Sequence, residues 1–157
     1  DEQTVYCLDA ENGKVLWQFI AGGQVDSPPT IYDGLCVFGC GDGSVYCLRA
    51  SDGKLAWRFH AAQLDRRVIA KSRLESVWPI HGSVLILDGI VYFAAGRSSY
   101  LDGGINIYGV DLYSGKKLYE TKVSSSGSPG KKKGKKAKYI PIARRSDKTD
   151  GIAYFLK

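Results

Sequence analysis

The chain has 157 residues, of which 44% are hydrophobic, and a net charge of +6. No apolar stretch is long enough to span a bilayer, which excludes a transmembrane helix. The charge is uneven: residues 1–123 carry 12 basic and 14 acidic residues, a net charge of −2, whereas residues 124–157 carry 10 and 2, a net charge of +8. Specific nucleic-acid binding therefore does not follow from the basic balance. The sequence opens with DEQT and no Met, so we expect it to be a piece of a longer protein.

A segment of fifteen residues occurs three times in the chain. VYCLDAENGKVLWQF covers residues 5–19 and VYCLRASDGKLAWRF covers residues 45–59, with nine identical positions. A more divergent copy, IYGVDLYSGKKLYET, covers residues 107–121. Repeats of this kind indicate stacked structural units.

An Asp-Gly pair between two β-rich segments is a second repeated feature. It occurs at Asp33-Gly34, Asp88-Gly89 and Asp150-Gly151, and it favours tight hairpins because glycine accepts a positive φ. Together the two features give a unit of four strands, predicted at 27–32, 35–39, 44–49 and 54–59. The inner strands are continuous apolar runs, which is typical of a sheet buried on both faces. We therefore predict an all-β fold, a β-propeller of four-stranded antiparallel blades, present here as a fragment and not as a closed ring.

The predicted organisation runs from half of one blade to the start of another. We expect the second half of a blade at 1–26, a complete blade at 27–60, an inserted inter-blade loop at 61–82, a complete blade with a long hairpin insertion at 83–123, a flexible Ser/Gly/Lys-rich loop at 124–138 and the start of a further blade at 139–157. Because open sheet edges need cover, the remaining blades of the same parent chain are expected partners.

The pattern Leu-Asp-Ala-x-x-Gly-Lys-x-x-Trp resembles the tryptophan-docking repeat of the quinoprotein (PQQ-like) β-propeller family. Residues 8–17 fit it throughout, residues 48–57 fit except that Arg49 replaces Asp, and residues 110–119 fit loosely. The resemblance implies that Trp17, Trp57 and Tyr119 pack against adjacent blades; stacking on a cofactor is the alternative. The family includes PQQ-dependent dehydrogenases, which need a quinone, Ca²⁺ and a catalytic carboxylate. It also includes non-catalytic bacterial propellers such as the lipoprotein of the outer-membrane assembly machinery, and it implies a periplasmic or other extracytoplasmic location.

Loop lengths distinguish the two faces of the predicted blades. Successive turns of an antiparallel sheet alternate between its two ends. On one face, called here the turn face, every turn is a short one, at Asn12-Gly13, Asp33-Gly34, Asp52-Gly53 and Asp88-Gly89. Both long insertions, at 60–82 and 95–106, belong to the other face, the insertion-bearing face, and should lie close together. Long loops on a rigid scaffold commonly carry binding sites. The candidate binding residues are Arg66, Arg67, Arg73, Glu75, Trp78, His81, Arg97, Ser98, Ser99, Tyr100 and Asp102.

Two interpretations of these residues stay open. Arginine forks suit carboxylates or phosphates and exposed aromatic rings suit sugars or peptides, which predicts a protein or glycan partner. Alternatively, Arg and Asp side chains of the two loops pair with one another and fix the loops. His81 is expected to pack within its loop and not to act as a general base, and no catalytic residue is predicted.

No metal site or bound cofactor is predicted from the residues. No Cys-x-x-Cys pair occurs, the two His are 21 residues apart, and no dense group of carboxylates suits Ca²⁺. Cys7, Cys36, Cys40 and Cys47 are expected to be core thiols, although a disulfide is open in an exported protein. The lysine-rich segment Lys131–Lys138 is predicted to be a solvated spacer or, alternatively, a contact for a polyanion.

These observations support two hypotheses of function. The first is a non-catalytic PQQ-like propeller that acts as a binding or protein-interaction scaffold through its insertion-bearing face. The second is a PQQ-dependent dehydrogenase whose catalytic blades lie outside this sequence, with PQQ and Ca²⁺ as cofactors.

Overall fold

The computed structural model describes residues 2–62, 64–70 and 73–125. Within these ranges the chain forms twelve strands and no helix, so no described helix is available to cross a membrane. The strands are β1 Thr4–Leu8, β2 Val15–Ile20, β3 Thr30–Tyr32, β4 Leu35–Gly39, β5 Ser44–Arg49, β6 Leu55–His60, β7 Arg67–Ala70, β8 Arg73–Ser76, β9 Leu85–Leu87, β10 Ile90–Ala95, β11 Ile105–Asp111 and β12 Lys117–Val123. The predicted all-β class is confirmed.

The strands form sheets in chain order, and every pairing is antiparallel. The first sheet is the pair β1–β2, the second is β3-β4-β5-β6, and the third is β9-β10-β11-β12. A separate two-stranded hairpin, β7–β8, lies between the second and third sheets in the chain. The predicted four-stranded antiparallel architecture is confirmed, and the described sheets do not close into a ring.

Two differences from the predicted elements have local causes. The first strand of the second sheet begins at Thr30 and not at Ser27, because Pro28 and Pro29 have no N–H groups for a sheet ladder. The insertion after β6, predicted as a loop, contains the β7–β8 hairpin. The segment Lys131–Lys138 and the predicted further blade at 139–157 lie outside the described residues.

The Asp-Gly pairs form tight turns on the turn face. Asp33 and Gly34 have φ values of 46° and 73°, and Asp88 and Gly89 have values of 50° and 74°. Positive φ at both central residues matches the right-handed twist of the flanking strands. The strands on either side are therefore held in register without a longer loop.

A β-bulge recurs at the same point of each fifteen-residue repeat. Cys7 pairs with Trp17 while Leu8 pairs with Val15, which leaves Leu16 as the extra residue. The register shifts equally at Cys47/Leu48 and at Gly109/Val110. A bulge bends its strand and redirects the adjacent side chain, so each repeat turns its Trp or Tyr in the same way.

The core consists of two apolar clusters that each join neighbouring sheets. One joins the first and second sheets, and the other joins the second and third sheets with part of the insertion. Each contains an aromatic trio, in which the ring centroids are 5.4–6.3 Å apart. The trios are Phe19, Phe38 and Tyr46 in one cluster and Phe59, Phe93 and Tyr108 in the other. Offset and edge-to-face contacts of this kind stabilise the stacking of blades.

Candidate functional site

The two insertions lie against each other on the insertion-bearing face. The indole N–H of Trp78, in the first insertion, donates to the carbonyl oxygen of Asp102 in the second at 3.1 Å. The backbone N–H of Gly96 donates to the carbonyl of Pro79 at 3.0 Å. Trp78 is itself buried, so these contacts form part of the core and fix one insertion relative to the other.

A buried carboxylate connects the same two segments. The side chain of Glu75 is 7% exposed and its Oε2 accepts from Nη2 of Arg97 at 2.9 Å. Nη2 of Arg97 also donates to the carbonyl of Ser76 at 3.3 Å. A buried charge is stable only when it is paired and hydrogen-bonded, and Arg97 meets that need for Glu75.

His81 lies between two carboxylates. Its Nδ1 contacts Oδ2 of Asp26, and its Nε2 lies 3.6 Å from Oε2 of Glu75. The His81 side chain is 41% exposed, so the imidazole reaches solvent while both ring nitrogens face acids. Together Asp26, Glu75, His81 and Arg97 form a charged junction, in which acidic and basic groups alternate.

The sequence analysis did not anticipate Asp26, although a signal for it exists. Asp26 and His81 each lie seven residues before the Asp of an Asp-Gly turn, Asp33 and Asp88. They are therefore equivalent positions in consecutive sheets, whose first strands are neighbours: the Thr30 hydroxyl donates to the Val84 carbonyl at 2.9 Å. Equivalent positions of adjacent blades meet, and this brings together two residues that are 55 positions apart in the sequence.

The β7–β8 hairpin projects from this junction. Its register pairs Val68 with Glu75 and Ile69 with Leu74. Val68 packs against the core and Glu75 is buried, whereas Ile69 is 81% and Leu74 60% exposed. The hairpin therefore has an inner face directed at the core and an outer face that exposes Ile69 and Leu74 to solvent.

The other candidate residues are mostly at the surface. Arg66 is exposed, and Nε of Arg67 lies 3.4 Å from the Asp65 carboxylate, itself 82% exposed. Arg73 begins β8. In the second insertion, Tyr100 is 76% exposed. Its neighbours are tied locally: the Ser98 hydroxyl accepts from the Tyr100 N–H, the Ser99 hydroxyl contacts that of Ser125, and Asp102 has a φ of 52°.

A second polar corner lies in the short β4–β5 loop, on the same face. The carboxylate of Asp42 accepts from the Tyr46 hydroxyl at 2.6 Å and from Nη2 of Arg58 at 2.8 Å. The backbone N–H of Gly22, in the connection that follows β2, donates to the same Tyr46 oxygen at 3.1 Å. Burial, and then the hydrogen bond to Asp42, raises the pKa of Tyr46. This corner was not predicted, because a single Asp in a Gly-rich turn normally indicates only turn geometry.

The repeat tryptophans each contact the following sheet. The indole N–H of Trp17 donates to the Ala50 carbonyl at 2.8 Å, and that of Trp57 donates to the Leu112 carbonyl at 2.7 Å. Tyr119 is 43% exposed and lies opposite Gly109 on the neighbouring strand. Both indoles therefore take part in contacts between neighbouring sheets.

The cysteines are free thiols, and three of them are buried. Burial raises the pKa of Cys36 to about 11 and that of Cys40 and Cys47 to about 12. Thiols in this state are poor nucleophiles and poor metal ligands, because both roles need the thiolate. Among the described residues, no three His, Cys, Asp or Glu side chains are arranged to hold a metal ion.

Repeated four-stranded antiparallel sheets in chain order are the blades of a β-propeller. The family model described as outer membrane protein assembly factor BamB matches residues 1–134. The chain belongs to this family. A search of curated proteins gave no match.

Solved structures with the same fold include several dehydrogenases. The chain is similar to a europium-containing methanol dehydrogenase, with 18% identity and a TM-score of 0.61 over 76% of this chain and 21% of that one. It is similar to the quinohemoprotein alcohol dehydrogenase ADHIIG of Pseudomonas putida HK5, with 20% identity and a TM-score of 0.62 over 76% and 18% of the two chains. The quinohemoprotein alcohol dehydrogenase of Comamonas testosteroni gives 20% identity and a TM-score of 0.60 over the same shares, 76% and 18%. The chain thus spans about a fifth of the length of these enzymes, and at this identity the likeness concerns the fold.

Proposed function

We propose that the chain forms part of a non-catalytic β-propeller that binds a partner protein through its insertion-bearing face. The family is described as an assembly factor for outer membrane proteins, so the proposed setting is extracytoplasmic and the proposed partners are proteins of that assembly process. A glycan partner is less well supported, because the large exposed hydrophobic side chains of the insertions are aliphatic except for that of Tyr100.

The observation that carries this proposal is the exposure of large apolar side chains on anchored insertions. Ile69, Leu74, Tyr100 and Leu101 are 60–81% exposed, although the segments that bear them are fixed by Trp78 and by the Glu75–Arg97 pair. A rigid loop that presents apolar groups to water is typical of a protein-interaction site. The charged residues of the junction are already paired, which favours a positioning role over a catalytic one.

Site-specific photocrosslinking tests the proposal in the full parent protein. A benzophenone amino acid replaces Tyr100, on the insertion-bearing face, or Tyr113, which is 60% exposed near the turn of the third repeat, on the turn face. Illumination in the native cell should give a discrete protein adduct from position 100 and none from position 113. Equal adducts at both positions, or none at either, would contradict a partner site on the insertion-bearing face.

The dehydrogenase hypothesis makes a different prediction for the same protein. Titration with PQQ and Ca²⁺ should then give stoichiometric quinone binding together with dye-coupled alcohol oxidation. We expect neither at tens of micromolar PQQ. Turnover would assign the parent protein to the enzymes and would make the insertions candidate substrate loops.

A further inference from the structure

The outer edge of β7 has backbone groups that face away from its own hairpin. The N–H of Val77 donates to the carbonyl of Arg66 at 3.0 Å, which makes residues 66 and 77 a hydrogen-bonded pair. Hydrogen-bonded and non-hydrogen-bonded pairs alternate along an antiparallel ladder. The pairs Arg67↔Ser76 and Ile69↔Leu74 are therefore non-hydrogen-bonded, and their N–H and C=O groups point outward.

The two outer edges of the hairpin differ in what they contact. On the β8 side, the outward N–H of Ser76 donates to the carbonyl of Gly41 at 2.9 Å, so this edge is seated on the second sheet. On the β7 side, no backbone hydrogen bond from the outward groups of Arg67 or Ile69 is found among the described residues. The strand thus offers two N–H groups and two carbonyls in the spacing that another strand would use.

The side chains around this edge indicate what kind of strand would fit. Arg67, Ile69 and Leu74 share the outer face of the hairpin, and Ile69 and Leu74 form an exposed apolar cross-strand pair. Arg66 and Arg67 are exposed bases near this edge, and Asp65, which is also exposed, is the acid beside Arg67. Glu75 is buried and paired with Arg97, so the described exposed side chains at this edge have a net positive charge.

From these observations we propose that the free edge of β7 binds an extended, acidic segment of a partner protein as an added third strand. The partner backbone pairs with Arg67 and Ile69, an apolar side chain of the partner covers Ile69 and Leu74, and an acidic one lies near Arg66 and Arg67. This inference rests on the proposed protein-binding function and specifies its mode. The rigid junction below the hairpin supports it, because an edge that is already ordered loses little conformational entropy on pairing.

A proline substitution separates strand addition from simple apolar contact. Ile69→Pro removes an outward N–H without removing a hydrogen bond of the hairpin, and proline is tolerated on edge strands. Ile69→Thr keeps the N–H but reduces the apolar surface, and Leu16→Pro, at the 62% exposed bulge residue of β2, is the matched control. Circular dichroism of each variant checks that the sheets are retained.

The probe is a fluorescein-labelled peptide, Glu-Val-Glu-Val-Thr-Val-Glu, measured by fluorescence anisotropy with the full chain. We expect saturable binding that weakens at least tenfold in Ile69→Pro, about threefold in Ile69→Thr, and not in Leu16→Pro. A peptide with Lys in place of each Glu should bind at least tenfold more weakly. Two results overturn strand addition: binding that is unaffected by Ile69→Pro, and no binding up to about 1 mM peptide, a concentration at which even weak peptide motifs bind. The crosslink at position 100 can still form in that case, so this failure is distinct from failure of the proposed function.

Discussion

The three equivalent glycines of the repeat turns should differ in how much their substitution by alanine destabilises the protein, because a tryptophan ring packs against two of them and not against the third. Gly13, Gly53 and Gly115 occupy the same position in the three repeats and have φ values of 70°, 68° and 67°. A Cβ at Gly53 would lie 2.6 Å from the ring of Trp17, and one at Gly115 would lie 2.7 Å from the ring of Trp57. Among the described residues of this chain, a Cβ at Gly13 would meet nothing within 4 Å, and the comparison below applies to the 157-residue chain.

The three alanine substitutions therefore share one cost and differ in another. Holding alanine in the left-handed region costs about 1–2 kcal/mol, and this applies equally to all three positions. At Gly53 and Gly115 the ring must also shift, which adds about 1–3 kcal/mol of overpacking and weakens an indole hydrogen bond worth about 0.5–1.5 kcal/mol. We expect Gly53→Ala and Gly115→Ala to destabilise the protein by about 2–3 kcal/mol more than Gly13→Ala.

Urea unfolding followed by far-UV circular dichroism measures these differences in the free energy of unfolding. A double-mutant cycle identifies their cause: in a Trp57→Leu background, the additional cost of Gly115→Ala should disappear while the cost of Gly13→Ala stays the same. Equal destabilisation by the three alanines, or an unchanged cost of Gly115→Ala without Trp57, would show that the indoles do not depend on these glycines.

Three further perturbations test other contacts. Because burial holds the pKa of Cys36 at about 11 and that of Cys47 at about 12, above the ordinary 9.0, the folded chain keeps protons that the unfolded chain loses above pH 9. The contribution of these thiols to the free energy of unfolding should be fully present below pH 9 and fall as the pH rises toward 11–12, by up to about 1.4 kcal/mol per pH unit for each thiol. Urea melts should show a shallower fall in Cys36→Ala. A free energy of unfolding that does not change with pH would contradict this. Asp42→Ala removes an acceptor shared by Tyr46 and Arg58 and should destabilise by about 2 kcal/mol, whereas a neutral effect in the same melts would mean that water replaces it. Arg97→Ala should deprive buried Glu75 of the guanidinium that donates to it at 2.9 Å and leave only His81 Nε2 nearby, at 3.6 Å. The insertions should then be more susceptible to limited trypsin digestion, with Lys54→Ala as the surface control; equal digestion of the two variants would count against the junction.

The sequence was most informative where a local rule fixes the backbone. Asp33-Gly34 and Asp88-Gly89 indicated tight hairpins because the positive φ of these turns suits Asp-Gly, and the structure has those turns. The inner strands β4 and β5 were identifiable as buried because nearly every residue in them is apolar. The division into blades followed directly, since four such strands recur in the same order.

The β7–β8 hairpin of the insertion was not predicted, because its sequence carries no turn motif comparable to Asp-Gly. Its strands have four residues each, and the residues between them, Lys71 and Ser72, carry no turn preference like that of Asn-Gly. The apolar alternation in Arg67–Ala70 is too short to distinguish from a loop. Its position is set by contacts with residues distant in the sequence, above all by the ion pair of Arg97 with Glu75 and by the hydrogen bond from the Ser76 N–H to the Gly41 carbonyl. Patterns in a single sequence do not report contacts of that kind.

The charged junction shows what a repeat can reveal once its symmetry is applied. Nothing in the linear sequence pairs Asp26 with His81. They are nevertheless equivalent residues of consecutive blades, and equivalent residues contact each other where the first strands of those blades are neighbours. Aligning the repeats by their Asp-Gly turns and comparing residues at equal offsets would have found the pair. The same procedure would not have found Arg97, because it lies in an insertion that has no counterpart in the second sheet.

The second and third sheets differ in what the equivalent tyrosine of each sheet contacts. Tyr46 and Tyr108 are equivalent, yet Tyr46 donates to Asp42 at 2.6 Å while Tyr108 donates to the Ala61 carbonyl at 3.3 Å. The residue equivalent to Asp42, four positions before the tyrosine, is Gly104 in the third sheet, and Gly104 has a φ of 102°. In the second sheet, Asp42 of the β4–β5 loop accepts the hydrogen bond from the tyrosine. In the third sheet a glycine stands in place of that acid, and the tyrosine donates instead to the backbone at Ala61, where the first insertion begins. The β7–β8 hairpin follows that contact in the chain, in a connection much longer than the one before the second sheet, so we expect binding specificity to depend on the hairpin and not on the surface that the repeats share.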